Sequence, residues 1–297
     1  MRYSTWILLL LTALPLPAQQ PDWFEYDRTA PLDYRETLIS NRDGVRVYDS
    51  SYASPRGGRV RAYTVVPDRK GRFAGIVWQH GGGQTRNWFL PDAIALARAG
   101  AISILMDAPS NRPPEMRAPV SKDDVENFQH EMIQVTVDAR RAYDVLAARL
   151  EVDKDRIGYA GLSFGAMMGG SLAGTDHRFK TFVLICGLEG FVRHYRFSQH
   201  PGIVQFRNSL KPDEFQKLLA AAEPIDAKNF IGKSSPRPLL FQAARFDPGI
   251  SESDTQDYFA MAGEPKELKW YDSGHDLNDP QAFADRQAWF RKHLNIK

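Results

Sequence analysis

The hydrophobic positions change period along the chain. Two segments of alternating polarity, 45–52 and 59–66, flank the turn signal Ser54-Pro55-Arg56-Gly57-Gly58 and predict an antiparallel hairpin. Beyond it come short apolar runs at 74–79, 101–106, 156–162, 179–186 and 238–244, with a less apolar one at 267–271. Runs with few polar positions predict strands covered on both faces. Helical spacing separates them at 91–98, at 122–149, from Phe164 onward, at 253–261 and at 280–294. The long helix at 122–149 starts with Asp123 and Asp124 and carries Arg140 and Arg141 nearer its end. Strands alternating with helices predict an α/β fold: a mostly parallel central sheet, helices on both faces and an antiparallel N-terminal start.

Two stretches break the alternation. Residues 19–44 are polar with scattered aromatics (Trp23, Phe24, Tyr26, Tyr34) and predict an arm lying over the domain formed by 45–297. Residues 187–237 exceed a simple crossover between strands. They concentrate aromatic and basic side chains (Phe191, Arg193, His194, Tyr195, Arg196, Phe197, His200, Phe206) and predict a lid insertion. Arg193 and Arg196 are its weak candidates for binding an aromatic or carboxylate-bearing substrate, set against the plainer role of packing and facing water.

Composition narrows the class. The 297 residues are 43% hydrophobic and 25% charged, with a net charge of +2, which suits one large globular domain. Nothing points to nucleic acid or an anionic membrane. At the N-terminus, Arg2, an apolar stretch from Trp6 to Leu14 and a small residue at Ala18 read as a signal peptide spanning 1–18. The stretch is too short for a stable membrane anchor, so export to a periplasm or the exterior is expected. Cys186 is the single cysteine, so no internal disulfide forms; it is expected to be a buried thiol.

The candidate chemistry centres on Gly161-Leu162-Ser163-Phe164-Gly165, between an apolar strand and a helix of small residues. In a G-x-S-x-G turn the serine is held in a strained conformation that lifts its hydroxyl above the sheet. Serine is a poor nucleophile without a base and a group to orient that base. His275 follows the strand at 267–271 through Asp272-Ser273-Gly274, and Asp247 follows the strand at 238–244, so both are expected on the rim that carries Ser163. Glu189 is the rival acid, and Asp272 and Asp276 read as turn residues. His80-Gly81-Gly82-Gly83 leaves another strand end and frees backbone amides for an oxyanion. The N–H groups of Gly82 and Phe164 are the main expected donors, with Gly83 a third and His80 holding the loop. No Lys-Ser/Thr pair follows to make a phosphate loop, and the glycine spacing is not that of a dinucleotide site. No His or Cys pairs show metal-ligand spacing, so neither metal nor cofactor is expected.

These four motifs in this order, His80-Gly83, Gly161-Gly165, Phe246-Asp247-Pro248 and Gly274-His275, resemble the α/β-hydrolase superfamily, and within it the dienelactone-hydrolase-like and acetyl-esterase-like serine hydrolases. The resemblance spans roughly 45–297. It implies an α/β-hydrolase fold and hydrolysis of a small or carbohydrate-linked carboxylic ester through an acyl-enzyme. Ser163 would then be the nucleophile, His275 the proton shuttle and Asp247 its orienting acid. Dienelactone hydrolases proper carry cysteine in the elbow, so that particular activity is not implied. Two other readings share the scaffold: a prolyl-oligopeptidase-like serine peptidase, which would cleave amides, and a catalytically silent binding protein, which would leave Ser163 unreactive toward a phosphonate. The sequence leaves the oligomeric state open.

Overall fold

The computed structural model describes residues 22–121 and 123–297. The signal-peptide assignment at 1–18 lies outside the described residues. One nine-stranded sheet runs through the molecule in the order β1-β2-β3-β5-β4-β6-β7-β8-β9. Its antiparallel start is β1 (Arg35–Arg42), β2 (Val45–Ala53) and β3 (Arg59–Pro67), and β3 pairs antiparallel with β5 (Ala101–Met106). From β5 onward β4 (Phe73–Gln79), β6 (Val152–Leu162), β7 (Thr181–Ile185), β8 (Leu239–Ala244) and β9 (Lys266–Tyr271) are all parallel.

The buried runs become strands for the predicted reason: every residue of β4, β5, β7 and β8 is buried. Helices α1 (Leu90–Ala99) and α8 (Pro280–His293) pack on one face around Trp78, Leu96 and Phe290. Helices α2 (Asp124–Ala148) and α3 (Phe164–Thr175) cover the other, with α7 (Glu252–Met261) contributing Tyr258 to the same core. Asp123 caps α2 by accepting from the Val125 and Glu126 N–H groups. Residues 187–237 form α4 (Phe191–Phe197), α5 (Pro201–Ser209), α6 (Pro212–Ala222) and three short 3-10 turns.

Two expectations change. The polar stretch 19–44 is not all arm, because its last third pairs with β2 and becomes the edge strand β1. β1 has almost no buried positions, so it lacks the alternation that marks a half-buried strand. Arg140 and Arg141, read as charges near a helix end, are both buried. Arg140 donates to the Phe24 carbonyl and to Glu25 Oε1 at 3.2 Å; Arg141 donates to the carbonyls of Arg28, at 3.4 Å, and Ala30. Two guanidiniums thereby clamp residues 24–30 onto the domain.

Candidate functional site

Parallel strands point their C-terminal ends to one rim, and there the strand order β4-β6-β7-β8-β9 sets the neighbours. The glycine loop leaves β4, Ser163 leaves β6, Cys186 and Glu189 leave β7, Asp247 leaves β8 and His275 leaves β9.

Ser163 has φ 52° and ψ −111°, the left-handed conformation demanded by the elbow, and it caps α3. Its two glycines are required by close approach. A Cβ on Gly161 would fall 2.2 Å from the Gly165 carbonyl oxygen, and one on Gly165 would fall 2.3 Å from the Gln79 carbonyl oxygen. The Ser163 N–H donates to the Ile185 carbonyl at 2.7 Å, and Tyr159 Oη donates to the Gly165 carbonyl at 2.7 Å, tying the turn to the sheet. The Ser163 hydroxyl makes no hydrogen bond to another described residue.

His275 and Asp247 are brought together. His275 Nδ1 lies 2.6 Å from Asp247 Oδ2, with the aspartate side chain 2% exposed and the histidine 32%. Asp247 Oδ1 accepts from the Gly249 and Ile250 N–H groups at 2.9 and 3.0 Å, which fixes the carboxylate plane. With Nδ1–H donating to the carboxylate, Nε2 is left as the acceptor, the form a general base needs. Glu189 sits elsewhere: its Oε1 is 3.5 Å from Arg193 Nη1, and burial pushes its carboxyl up.

The glycine loop is braced from three directions. His80 is buried; its Nε2 accepts from the Ala108 N–H at 3.1 Å, so Nδ1 carries the proton and donates to the Gly81 carbonyl at 2.7 Å. Burial holds the imidazole below its usual range, keeping it neutral. Arg86 anchors the far end, donating from Nη1 to Asp49 Oδ1 at 2.6 Å with its guanidinium 3.8 Å from the centre of the Tyr63 ring. Gln84 is the third brace. Its Oε1 accepts from the Gly81 N–H at 3.0 Å, and its Nε2 donates to Asp276 Oδ1 at 3.1 Å. Gly81 lies against Ser163, since a Cβ there would be 3.4 Å from Ser163 Cβ. The Gly81 amide is thus taken, whereas those of Gly82, Gly83 and Phe164 donate to no described residue. Sequence reasoning passed over Gln84, since nothing marks an isolated amide; its position four residues after His80, level with a loop 192 residues on, appears only in the fold.

The insertion packs directly on this rim. Phe191 of α4 lies 6.1 Å from Phe164 between ring centres, and Ser198 Oγ donates to the Gly249 carbonyl at 3.1 Å, inside the Asp247 loop. Burial, then the nearby His275 and His200, hold the His194 imidazole down to about 4. Arg193 is spoken for by Asp254 and, at 2.9 Å, Asp257. Arg196 is exposed, beside Glu189 and Lys228. Cys186 is buried next to the rim, and burial pushes its thiol far up, so it stays protonated. Among the described residues no cluster of three metal-ligating side chains occurs, and no helix is long and apolar enough to cross a membrane.

The architecture and sequence have counterparts among known proteins. A family model for acetyl xylan esterase (AXE1) matches residues 28–293. Acetyl xylan esterase from Paenibacillus sp. R4 superposes with a TM-score of 0.76 at 20% identity, over 89% of each chain. Acetyl xylan esterase 1 from Thermoanaerobacterium sp. JW/SL YS485 gives 0.73 at 18% identity, over 91% of this chain and 89% of that one. A cold-adapted esterase from an Arctic intertidal metagenomic library gives 0.59 at 15% identity, over 87% and 99%. At these identities the superpositions speak for the α/β-hydrolase fold.

Proposed function

Since the chain belongs to the acetyl xylan esterase (AXE1) family and is a carboxylic ester hydrolase, we propose that it is exported and removes small acyl groups, acetyl foremost, from carbohydrate esters by a Ser163-His275-Asp247 triad. The observation that carries this reading is the 2.6 Å contact between His275 and Asp247 on the rim that also carries the strained Ser163.

In this mechanism Ser163 Oγ attacks the acyl carbonyl carbon while His275 Nε2 takes its proton, and Asp247 steadies the imidazolium. The carbonyl oxygen becomes an oxyanion facing the N–H groups of Gly82 and Phe164, with Gly83 in reach; each such donor is worth roughly 10²–10³ in rate. The tetrahedral intermediate collapses, the C–O bond breaks, and the sugar hydroxyl leaves with the proton from His275. Water, deprotonated by His275, then attacks the acyl-Ser163 ester and releases the acid. The α4–α6 insertion acts as a lid wall on the Asp247 side, and residues 1–18 direct export.

The test is hydrolysis of p-nitrophenyl acetate, butyrate and octanoate by the protein beginning at Gln19, beside Ser163→Ala. Activity that falls with chain length and vanishes in Ser163→Ala is the expected result. A folded Ser163→Ala protein retaining the full rate removes Ser163 as the nucleophile.

A further inference from the structure

Helix α3 carries two adjacent glycines in its middle, Gly169 and Gly170, where glycine weakens a helix relative to alanine. The elbow at 161–165 does not need them. Packing does: a Cβ on Gly169 would fall 2.6 Å from Leu184 Cδ2 and 2.7 Å from Tyr159 Cε1, and one on Gly170 would fall 2.0 Å from Tyr258 Oη. The pair opens the helix to two fully buried tyrosines, one from β6 and one from α7. Both hydroxyls reach the first turn of α3. Tyr159 Oη donates to the Gly165 carbonyl at 2.7 Å, and Tyr258 Oη donates to the Ala166 carbonyl at 3.0 Å. Phe179 and Phe182 pack on the Tyr159 ring and Phe241 on the Tyr258 ring, so the core holds each oxygen in place.

A peptide group is one planar, conjugated unit, so a bond made at its carbonyl is felt at its N–H. The Gly165 carbonyl shares a peptide with the Ala166 N–H, and the Ala166 carbonyl shares one with the Met167 N–H. Those two N–H groups converge, both donating to the Ser163 carbonyl, at 2.9 and 3.0 Å. The Ser163 carbonyl in turn shares its peptide with the Phe164 N–H, which donates to no described residue. Two chains of hydrogen bonds thus start at buried phenols and end at one free amide beside Ser163. We propose that Tyr159 and Tyr258 are positioning residues for the oxyanion, aiming and polarising the Phe164 N–H through the peptide groups of α3; this rests on the Ser163 reading above. Hydrogen bonds in series strengthen one another by roughly 10–30% each in a low-dielectric interior. Two bonds on the Ser163 carbonyl also stop its peptide from tilting, so the amide keeps its aim while charge develops. Burial pushes both phenols well up, and they stay protonated donors.

The experiment removes one oxygen at a time. Tyr159→Phe, Tyr258→Phe and the double variant are compared with wild type on p-nitrophenyl acetate, with circular dichroism to verify folding. Tyr52→Phe is the control, because its equally buried hydroxyl donates to the Asp138 carbonyl at 2.9 Å, away from α3. An oxyanion donor is worth roughly 10²–10³ in rate, and losing roughly 10–30% of that on a logarithmic scale lowers kcat about two- to eightfold per tyrosine. KM should change little, and Tyr52→Phe should keep the wild-type rate. Each protein is also treated with diethyl p-nitrophenyl phosphate, which bonds its phosphorus to Ser163 Oγ and loses p-nitrophenolate, leaving a P=O group where the oxyanion would lie. The phosphorus NMR resonance of this adduct should move upfield in both tyrosine variants as the P=O group loses hydrogen bonding. In wild type grown on fluorotyrosine, whose phenol is the stronger donor, it should move downfield; this arm needs no substitution to fold. Unchanged kcat or an unmoved resonance in folded Tyr159→Phe and Tyr258→Phe overturns the relay, as does an unmoved resonance in the fluorotyrosine protein. An equal loss in Tyr52→Phe overturns it too, by marking a general loosening of the core. An adduct that still forms on Ser163→Ala would instead remove Ser163 as the nucleophile, and the relay with it.

Discussion

At Gly165 the turn that carries Ser163 meets the neighbouring strand with no room for a methyl group. The obstacle is the Gln79 carbonyl, part of the β4 backbone, so Gly165→Ala must push two sheet elements apart. The expected cost is on the order of 3 kcal/mol or more, seen as lost soluble protein or a lowered urea midpoint. A Gly165→Ala protein as stable as wild type would show the elbow to be looser than described. Asp247→Asn probes orientation rather than packing. The asparagine oxygen keeps the Gly249 and Ile250 donors, so its NH₂ faces His275 and the imidazole proton moves to Nε2, where it blocks proton uptake from Ser163. We expect kcat to fall roughly 10³–10⁴-fold with KM little changed. Gln84 gives a third test. Gln84→Glu sets a carboxylate against Asp276 and should lower kcat on p-nitrophenyl acetate by about tenfold, while adding Asp276→Asn restores a donor to the pair and most of the rate. Equal rates in the single and double variants would mean the bridge has no hold on the site.

The elements of the α4 region carry two buried groups in neutral form, and they oppose each other in pH dependence. Asp226 accepts from the Phe191 and Val192 N–H groups, and burial pushes its carboxyl up to about 7. Between roughly pH 4 and 6.5 the folded chain therefore holds a proton there that the unfolded chain has released, and stability falls as pH rises. His194 does the reverse: held down to about 4, it is neutral in the folded chain while the unfolded imidazole is protonated, so stability rises with pH over the same span. The two slopes, each about 1.4 kcal/mol per pH unit, cancel. Asp226→Asn should tilt the stability profile upward with pH relative to wild type, and His194→Gln should tilt it downward, in urea melts at pH 4.5, 5.5 and 6.5. Profiles parallel to wild type in both variants would remove the assigned burial. Neither group was visible as special in the sequence. Their roles depend on how an insertion without strand or long-helix periodicity folds back on α2 and α3, whereas the strands feeding Ser163 and Asp247 announce themselves as apolar runs with abrupt polar ends and the one before His275 is less apolar.

On the scale of the whole molecule, what the chain declares is the parallel half of the sheet. Continuous apolar runs as short as 101–106 read by their length as buried strands, and they order the rim. What it conceals are elements whose burial is one-sided or ionic. The edge strand β1 exposes Leu38 and Ile39 at 50% and 54%, so its hydrophobic residues do not mark a core. Arg112 and Asp138 form an ion pair with both side chains fully buried, and Arg140 and Arg141 look like any solvated helix face until the N-terminal residues are laid over them. Removing residues 22–34 should therefore cost about 1.5–3 kcal/mol, because it strips the buried Phe24 from the core, while the two guanidiniums return to water and keep Asp176 and Asp144 as partners. A truncated protein melting with wild type would show the clamp to be ornamental to stability.

That clamp also bears on the order in which the chain is made. Phe24 and Ala30 leave the ribosome early, yet the guanidiniums that take up their carbonyls arrive 116 and 111 residues later. Until α2 has emerged and settled on the sheet, residues 24–30 lack these two guanidiniums, and the Arg56 contacts to the Trp23 and Glu25 carbonyls are left to hold the segment. Seating of the beginning therefore waits on the middle, and a nascent chain paused before Arg140 would present residues 22–34 to proteases that the finished protein denies.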